Sequence, residues 1–183
     1  MSRSIHTSNG VQFECIQGDI TDQPDLDAVV NAANAQLMPG GGVAGAIHRA
    51  AGQELARACE PLAPIKPGEA VITEGFGLPN GHIIHCLGPV YGEDEPSDEL
   101  LADCYRNGVQ LAEKHGLSSI GFPALSTGAF GYPMEAAAKV AFSTLIGLTS
   151  QLSSVSRIRF VLFSEKDVRL HQQVLDDVMR QAS

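Results

Sequence analysis

Asp27-Ala28-Val29-Val30-Asn31-Ala32-Ala33-Asn34 runs, a few residues on, into Gly40-Gly41-Gly42-Val43-Ala44-Gly45-Ala46-Ile47-His48-Arg49. This stretch decides the fold. Ala28-Val29-Val30 is a short continuous apolar run, which reads as a buried strand over Asp27–Asn31. A glycine-rich loop follows, and Val43–Cys59 is helical in composition with a break at Gly52. Strand, loop and helix in that order form the first part of a crossover connection, which belongs to a parallel sheet.

Upstream, Asn9-Gly10 between Ser4–Ser8 and Val11–Gln17 is a strong hairpin signal, so the chain opens with an antiparallel pair. Downstream, Ala70–Thr73 and His82–Leu87 read as strands, with turn chemistry at Pro79-Asn80-Gly81 between them. A helix starts at Ser97, read as its cap, with Asp98 and Glu99 in the first turn. Leu101, Cys104, Tyr105, Gly108, Leu111 and Ala112 share one face of it, and Gly116 ends it. Ser119–Ala124 is a strand. Pro133 occupies a first-turn position, and Met134–Leu148 continues as helix. Arg157–Phe163 is the last strand. Asp167–Gln181 is the last helix, with Val174, Leu175, Val178 and Met179 inward. The expected fold class is α/β: a central mixed, mostly parallel sheet with helices on both faces, in a single domain over residues 1–183.

Composition excludes several classes. The chain has 183 residues, 44% hydrophobic and 18% charged, too apolar for wholesale disorder. Twelve Lys and Arg stand against 21 Asp and Glu, a formal charge of −9, so a sequence-blind grip on nucleic acid is not expected. No apolar run approaches the ~18 residues of a membrane span, and Met1–His6 has no apolar run behind it; the expectation is a cytoplasmic protein. Cys15, Cys59, Cys86 and Cys104 are far apart and read as buried reduced thiols. His82 and His85 point to opposite faces of a strand, a poor metal pair, and no metal or cofactor is implied.

In open α/β sheets ligands bind beyond the carboxyl ends of the strands. Three segments fall there: Gly18–Thr21, Asn31–Gly45 and Leu125–Pro133. Gly40–Gly45 matches G-x-G-x-x-G, but Met38-Pro39 separates it from its strand, and Glu60, at the distance of a ribose-binding acid, lies at a helix end. A nicotinamide site is therefore disfavoured, while the loop remains a good diphosphate cradle. Ala124–Gly128 approximates a nucleophile elbow, with Asp167 and His171 downstream. No helix follows Ser126, and Asp167 and His171 share one helix, so a serine hydrolase is disfavoured. That loop reads better as a second anion clamp, with hydroxyls and amides from Ser126 and Thr127 and a ring from Phe130. Asn31 and Asn34 fit either a pair bonding a sugar hydroxyl or a pair stabilising a turn. His48 and Arg49 sit early in the helix beside the phosphate loop, where Arg49 either reaches a phosphate or, the preferred reading, is solvated on the helix surface. His85 is read as core or as a support behind the site, and Tyr91 as a residue bordering a cleft or, the preferred reading, a packed strand-end aromatic.

Taken together, Gly18–Thr21, Asn31–Asn34, Gly40–Val43, Gly45–Gly52, His85–Tyr91 and Ser126–Pro133 resemble the macrodomain, the ADP-ribose-binding module, over nearly the whole chain. Ile47–Gly52 and Gly128–Pro133 look most like the MacroD-type branch, whose members remove mono-ADP-ribose from acidic side chains and deacetylate O-acetyl-ADP-ribose. The resemblance implies a three-layer α/β/α macrodomain fold. It also implies roles: Asp19 accepting from the adenine amino group, the Ile20 amide bonding the ring, and Phe163 stacking on adenine. Gly41, Gly42 and Val43 would face the distal ribose and phosphate. Ser126, Thr127, Gly128, Ala129 and Phe130 would wrap the diphosphate, and Asn34 would hold the distal ribose near the scissile bond. The implied partners are ADP-ribose, mono-ADP-ribosylated proteins and O-acetyl-ADP-ribose.

One residue departs from the pattern. After Gly-Gly-Val the branch has an aspartate that orients or activates water, and this chain has Ala44, either as its natural residue or as a replacement that traps ligand. Other macrodomain branches carry alanine here and are still credited with hydrolysis. A water bonded to the ligand's own phosphate then serves as nucleophile, with Asn34 and the Gly128 loop positioning it. Two functions stay open: hydrolysis of ADP-ribose esters with turnover impaired by Ala44, or recognition of ADP-ribose without turnover.

Overall fold

The computed structural model describes residues 5–182. The chain opens as expected, with β1 (His6–Ser8) and β2 (Val11–Gln17) antiparallel. Asn9 at φ 49° and Gly10 at φ 81° form the turn, both in the left-handed region that an Asn-Gly pair tolerates. Next come β3 (Ala28–Ala32), α1 (Gly42–Ala51) and α2 (Gln53–Cys59), with the helical run broken at Gly52, φ 92°. β4 (Ala70–Glu74) and β5 (His82–Cys86) pair antiparallel. The remainder alternates: α3 (Ser97–Lys114), β6 (Ser119–Phe122), α4 (Met134–Leu148), β7 (Arg157–Leu162) and α5 (Glu165–Ala182).

The seven strands form one sheet in the order β1-β2-β7-β6-β3-β5-β4. The five inner strands are mutually parallel, and the two edge strands run against their neighbours. One face packs on α3, α4 and α5 through Phe13, Phe122, Phe142, Phe160 and Tyr105, all essentially fully buried. The opposite face packs on α1 and α2 through Val29, Ile47, Leu55 and Ile83. This is the expected three-layer α/β/α arrangement.

Helices α1 and α2 lie against β3 and β4 and leave β2 and β7 to another cover on that face. The 18–27 segment supplies it. Arg159, 6% exposed, projects from β7 and donates to Glu14 Oε1 on β2 at 2.7 Å, to Gln23 Oε1 at 2.7 Å and to Asp25 Oδ1 at 2.8 Å. The guanidinium thereby clasps the segment to the sheet and holds the Asp25 carboxyl far below the usual range.

Three local expectations are corrected. Ser97 does not cap α3: Pro96 holds the cap position, and the Ser97 hydroxyl donates to the Asp94 carbonyl at 2.6 Å. Pro133 precedes the first turn of α4 rather than lying in it. His48 and Arg49 belong to the last turn of α1, because the break at Gly52 makes that helix short.

Candidate functional site

The parallel strands all end at one edge of the sheet, and the loops that leave them there make the site. After β2 comes Gly18, whose amide donates to Leu162 O at 3.0 Å, so the exits of β2 and β7 are tied together. Asp19 and Phe163 consequently emerge side by side from adjacent parallel strands, with Gln17 Nε2 donating to Phe163 O at 3.2 Å. Asp19 Oδ1 accepts from the amide and hydroxyl of Thr21, at 2.9 and 2.7 Å. Those bonds, the hydroxyl first, lower the Asp19 carboxyl below its ordinary value and keep it ionised. Among the described residues its second oxygen and the Ile20 amide have no protein partner. Phe163 is 76% exposed, an unusual setting for a phenyl ring, and offers a bare face to stack on.

After β3 the chain turns at Asn34. Its side chain donates to Met38 O at 2.8 Å and accepts from Met38 N at 3.0 Å, so it staples the loop that carries the glycines. The turn-stabilising reading of Asn34 is thus realised in the free protein. Asn31 has a different fate: it is buried, and its Nδ2 lies 3.0 Å from His85 Nδ1. His85 is fully buried, with Thr73 Oγ1 3.0 Å from Nε2, and burial, aided by nearby His48, pushes it down to about 3. Asn31, Thr73 and His85 form a buried polar cluster.

Helix α1 begins at Gly42, and its first internal donor is Gly45 N to Gly41 O at 3.2 Å. The amides of Gly42, Val43 and Ala44 therefore have no acceptor within the helix or elsewhere among the described residues, and lie at the positive end of its dipole. Ala44 itself is buried, 5% exposed. Gly45 allows a close approach: a Cβ there would lie 2.3 Å from Gly40 O and 3.0 Å from Arg49 Nη1. Arg49 thus folds back along the helix toward the loop.

After β6, residues 123–133 supply the second set of amides. Ser126 adopts φ 67° and donates its hydroxyl to Pro89 O at 2.8 Å. Thr127 Oγ1 donates to Ala124 O at 2.8 Å. Both hydroxyls are therefore spent inside the protein, contrary to the expectation that they face an anion. The amides of Gly128, Ala129 and Phe130 have no acceptor among the described residues, while Gly131 N closes the turn onto Gly128 O at 3.0 Å. Tyr91, whose amide donates to Phe130 O at 2.9 Å, fastens this loop to the exit of β5. Tyr91 is 49% exposed, not packed as expected, with its ring 4.6 Å from that of buried Tyr132.

The site is thus a groove across the strand ends: an acid and a bare ring at one end, two rows of free amides in the middle, and Asn34 beyond them. Because β3 and β6 are neighbours about 4.8 Å apart, the two amide rows rise from adjacent strands. The groove can hold a doubly charged anion without lysine, between a stacking base and a hydrogen-bonded hydroxyl. Sequence reasoning held the turn-stabilising role of Asn34 as one of two alternatives, and missed the inward Ser126 hydroxyl, which sits against Gly88.

The class this fold and groove define is the macrodomain, and the chain belongs to that family. The Macro domain model matches residues 30–141. A macro domain-containing protein of Chlorobaculum tepidum is 44% identical over 168 residues, covering 91% of this chain and 97% of the relative. An O-acetyl-ADP-ribose deacetylase of Cronobacter sakazakii is 45% identical over 169 residues, 90% of this chain and 93% of the relative. Among solved structures, the Oceanobacillus iheyensis macrodomain with ADP superposes with a TM-score of 0.93 at 40% identity, covering 98% of each chain. The Trypanosoma brucei macrodomain in complex with ADP-ribose gives 0.82 at 38% identity over 88% of this chain and 68% of that one.

Proposed function

We propose that this chain binds ADP-ribose and hydrolyses its mono-esters, O-acetyl-ADP-ribose and ADP-ribosylated carboxylates, in the cytoplasm, with turnover held down by Ala44. The observation that carries the reading is the pair of unpartnered amide rows lying between Asp19–Phe163 and Asn34. Adenine stacks on Phe163, its amino group donates to Asp19 and its ring accepts from the Ile20 amide. The diphosphate takes the amides of Val43, Ala44, Gly128, Ala129 and Phe130. The distal ribose reaches Asn34. Relatives described as O-acetyl-ADP-ribose deacetylases and macrodomains solved with ADP and ADP-ribose support this assignment.

In the hydrolysis, water oxygen attacks the acyl carbon, the acyl–ribose oxygen bond breaks, the ribose oxygen is protonated and a carboxylate leaves. The Ala44 methyl neither accepts the water's proton nor orients it. The ligand's own phosphate oxygen is then the base within reach, and positioning by the loops does the rest. Ala44 is also the feature that favours the second reading, a module that recognises ADP-ribose without turning it over.

Calorimetry with ADP-ribose tests binding, and mass spectrometry of O-acetyl-ADP-ribose tests turnover in the parent and in Ala44→Asp. Saturable heat is expected, with a rate rise of about 10²-fold or more on restoring a general base. No heat at millimolar ligand would sink the binding assignment. Equal rates in both proteins would remove Ala44 as the limiting residue, and no turnover in either would leave the recognition module.

A further inference from the structure

The sheet has a free hydrogen-bonding edge beside the site. Leu87 N donates to Glu69 O at 3.2 Å and Gly75 N to Gly81 O at 3.0 Å. With the β4–β5 register, these bonds direct the backbone groups of Val71 and Thr73 toward β5, and those of Ala70 and Ile72 away from the sheet. Neither outward amide has an acceptor among the described residues. Beside Ala70 this edge opens into a cleft of about 550 Å³, walled by Leu62 and Ile65 on one side and by Gln110, Leu111 and Lys114 of α3 on the other, with Glu69 also in the lining. Lys114 makes no ion pair among the described residues, in a chain of formal charge −9.

The cleft points at the reacting end of the groove. Antiparallel β4 begins where parallel β5 ends, with Ala70 opposite Cys86. Ile65 N donates to Ala35 O at 2.9 Å, one residue from Asn34. The cleft and the Asn34 turn therefore share a wall, and β4 lies two strand spacings, about 10 Å, from β3.

We propose that this cleft is a docking site for an extended segment of the modified acceptor protein, which adds to β4 as an eighth strand and presents its ADP-ribosylated side chain at Asn34. The inference rests on the ester-hydrolase reading above and names its macromolecular substrate. Three features set the occupant. Outward N–H and C=O groups on Ala70 and Ile72 demand a peptide backbone in extended form. Leu62, Pro64 and Ile65 give one wall that takes aliphatic side chains, while Asn107, Gln110 and Lys114 flank Leu111 on the other and take polar ones, an alternation that suits the opposite faces of a strand. Lys114, which makes no ion pair among the described residues, takes a carboxylate of the acceptor segment, while Glu69 in the lining limits how many more are accepted. A second copy of this chain fits less well, because its own β4 edge lies between the same walls and does not project into a cleft.

The test uses two twelve-residue peptides, each mono-ADP-ribosylated on a central glutamate, flanked by Val-Glu repeats in one and Gly-Glu repeats in the other. Charge is matched, and only strand-forming capacity differs. The parent protein is expected to show a KM about tenfold lower for the Val-Glu peptide, or, where the ester survives, a Kd lower by the same factor in fluorescence anisotropy. Ala70→Pro removes an outward amide at an edge where proline is accommodated, and it should abolish the difference. Lys114→Glu should raise KM for both peptides. Affinity for free ADP-ribose and turnover of O-acetyl-ADP-ribose should be unchanged in both variants, which shows that the fold and groove are intact. Equal constants for the two peptides in the parent, or a preference that survives Ala70→Pro, would overturn the docking site. Loss of O-acetyl-ADP-ribose turnover in the parent bears on the hydrolase reading, while the anisotropy comparison still decides the docking site.

Discussion

Replacing Gly45 with alanine sets two effects against each other. In an exposed helix interior the change stabilises by about 1 kcal/mol, because alanine loses less backbone entropy. Here the new Cβ would sit 2.3 Å from Gly40 O, where ordinary contact starts near 3.4 Å. The Gly40 carbonyl must retreat by about 1 Å, or α1 must tilt, and overpacking of this kind costs about 1–3 kcal/mol. Gly40 also packs on Asn34, a Cβ there lying 3.3 Å from Nδ2, so the retreat disturbs the Asn34 turn. Gly147→Ala in α4 is the matched control, since a Cβ there meets nothing within 4 Å. Thermal unfolding and ADP-ribose calorimetry on both variants are the assays. Gly147→Ala should gain about 0.5–1 kcal/mol and bind like the parent. Gly45→Ala should gain nothing or lose up to about 2 kcal/mol, and misplacement on the 1 Å scale should weaken ADP-ribose at least about tenfold. Should Gly45→Ala match Gly147→Ala in both stability and binding, the tight approach of Gly40 to α1 would not be what shapes the cradle.

Two further outcomes are expected. Phe163→Ala should leave the melting temperature within a degree or so, since the ring is 76% exposed, while weakening ADP-ribose by about 1–3 kcal/mol, the usual worth of a base stacked on an aromatic ring. Glu113 accepts from the amides of Ser153, Ser154 and Val155 and from the Ser153 hydroxyl, which hold its carboxyl down to about 2. With the folded value depressed below the ordinary 4.5, its stabilisation is present above about pH 4.5 and is lost as pH falls toward 2. Glu113→Gln should lower stability at pH 7 by about 1–2 kcal/mol and flatten the acid side of the stability profile, as measured by urea unfolding across pH.

Much of this architecture was legible because its signals are local. Asn9-Gly10 fixes a hairpin by the left-handed φ of both residues, and the Ala28–Val30 run is too apolar for any strand but an inner one. Gly52 broke the helix where it was expected to. What stayed hidden depends on contacts far apart in sequence. The Ser126 hydroxyl looks free until Pro89, 37 residues away, is folded against it. Ser97 has the chemistry of a cap, yet the Asp94 carbonyl claims its hydroxyl first. Tyr91 reads as a packed strand-end aromatic in preference to a cleft-bordering one, and its exposure goes with the Phe130 carbonyl that anchors its backbone on the rim. The neighbouring exits of Asp19 and Phe163 follow from the β2–β7 register, which no residue near Asp19 encodes.

The double clasp between Asn34 and the Met38 peptide has a bearing on inhibitor chemistry. A sugar mimic that reaches this carboxamide trades places with a main-chain partner already in hand, so the swap is close to neutral in enthalpy. Compounds grown toward that corner should gain selectivity of pose there and seek their potency from the bare phenyl ring at the far end.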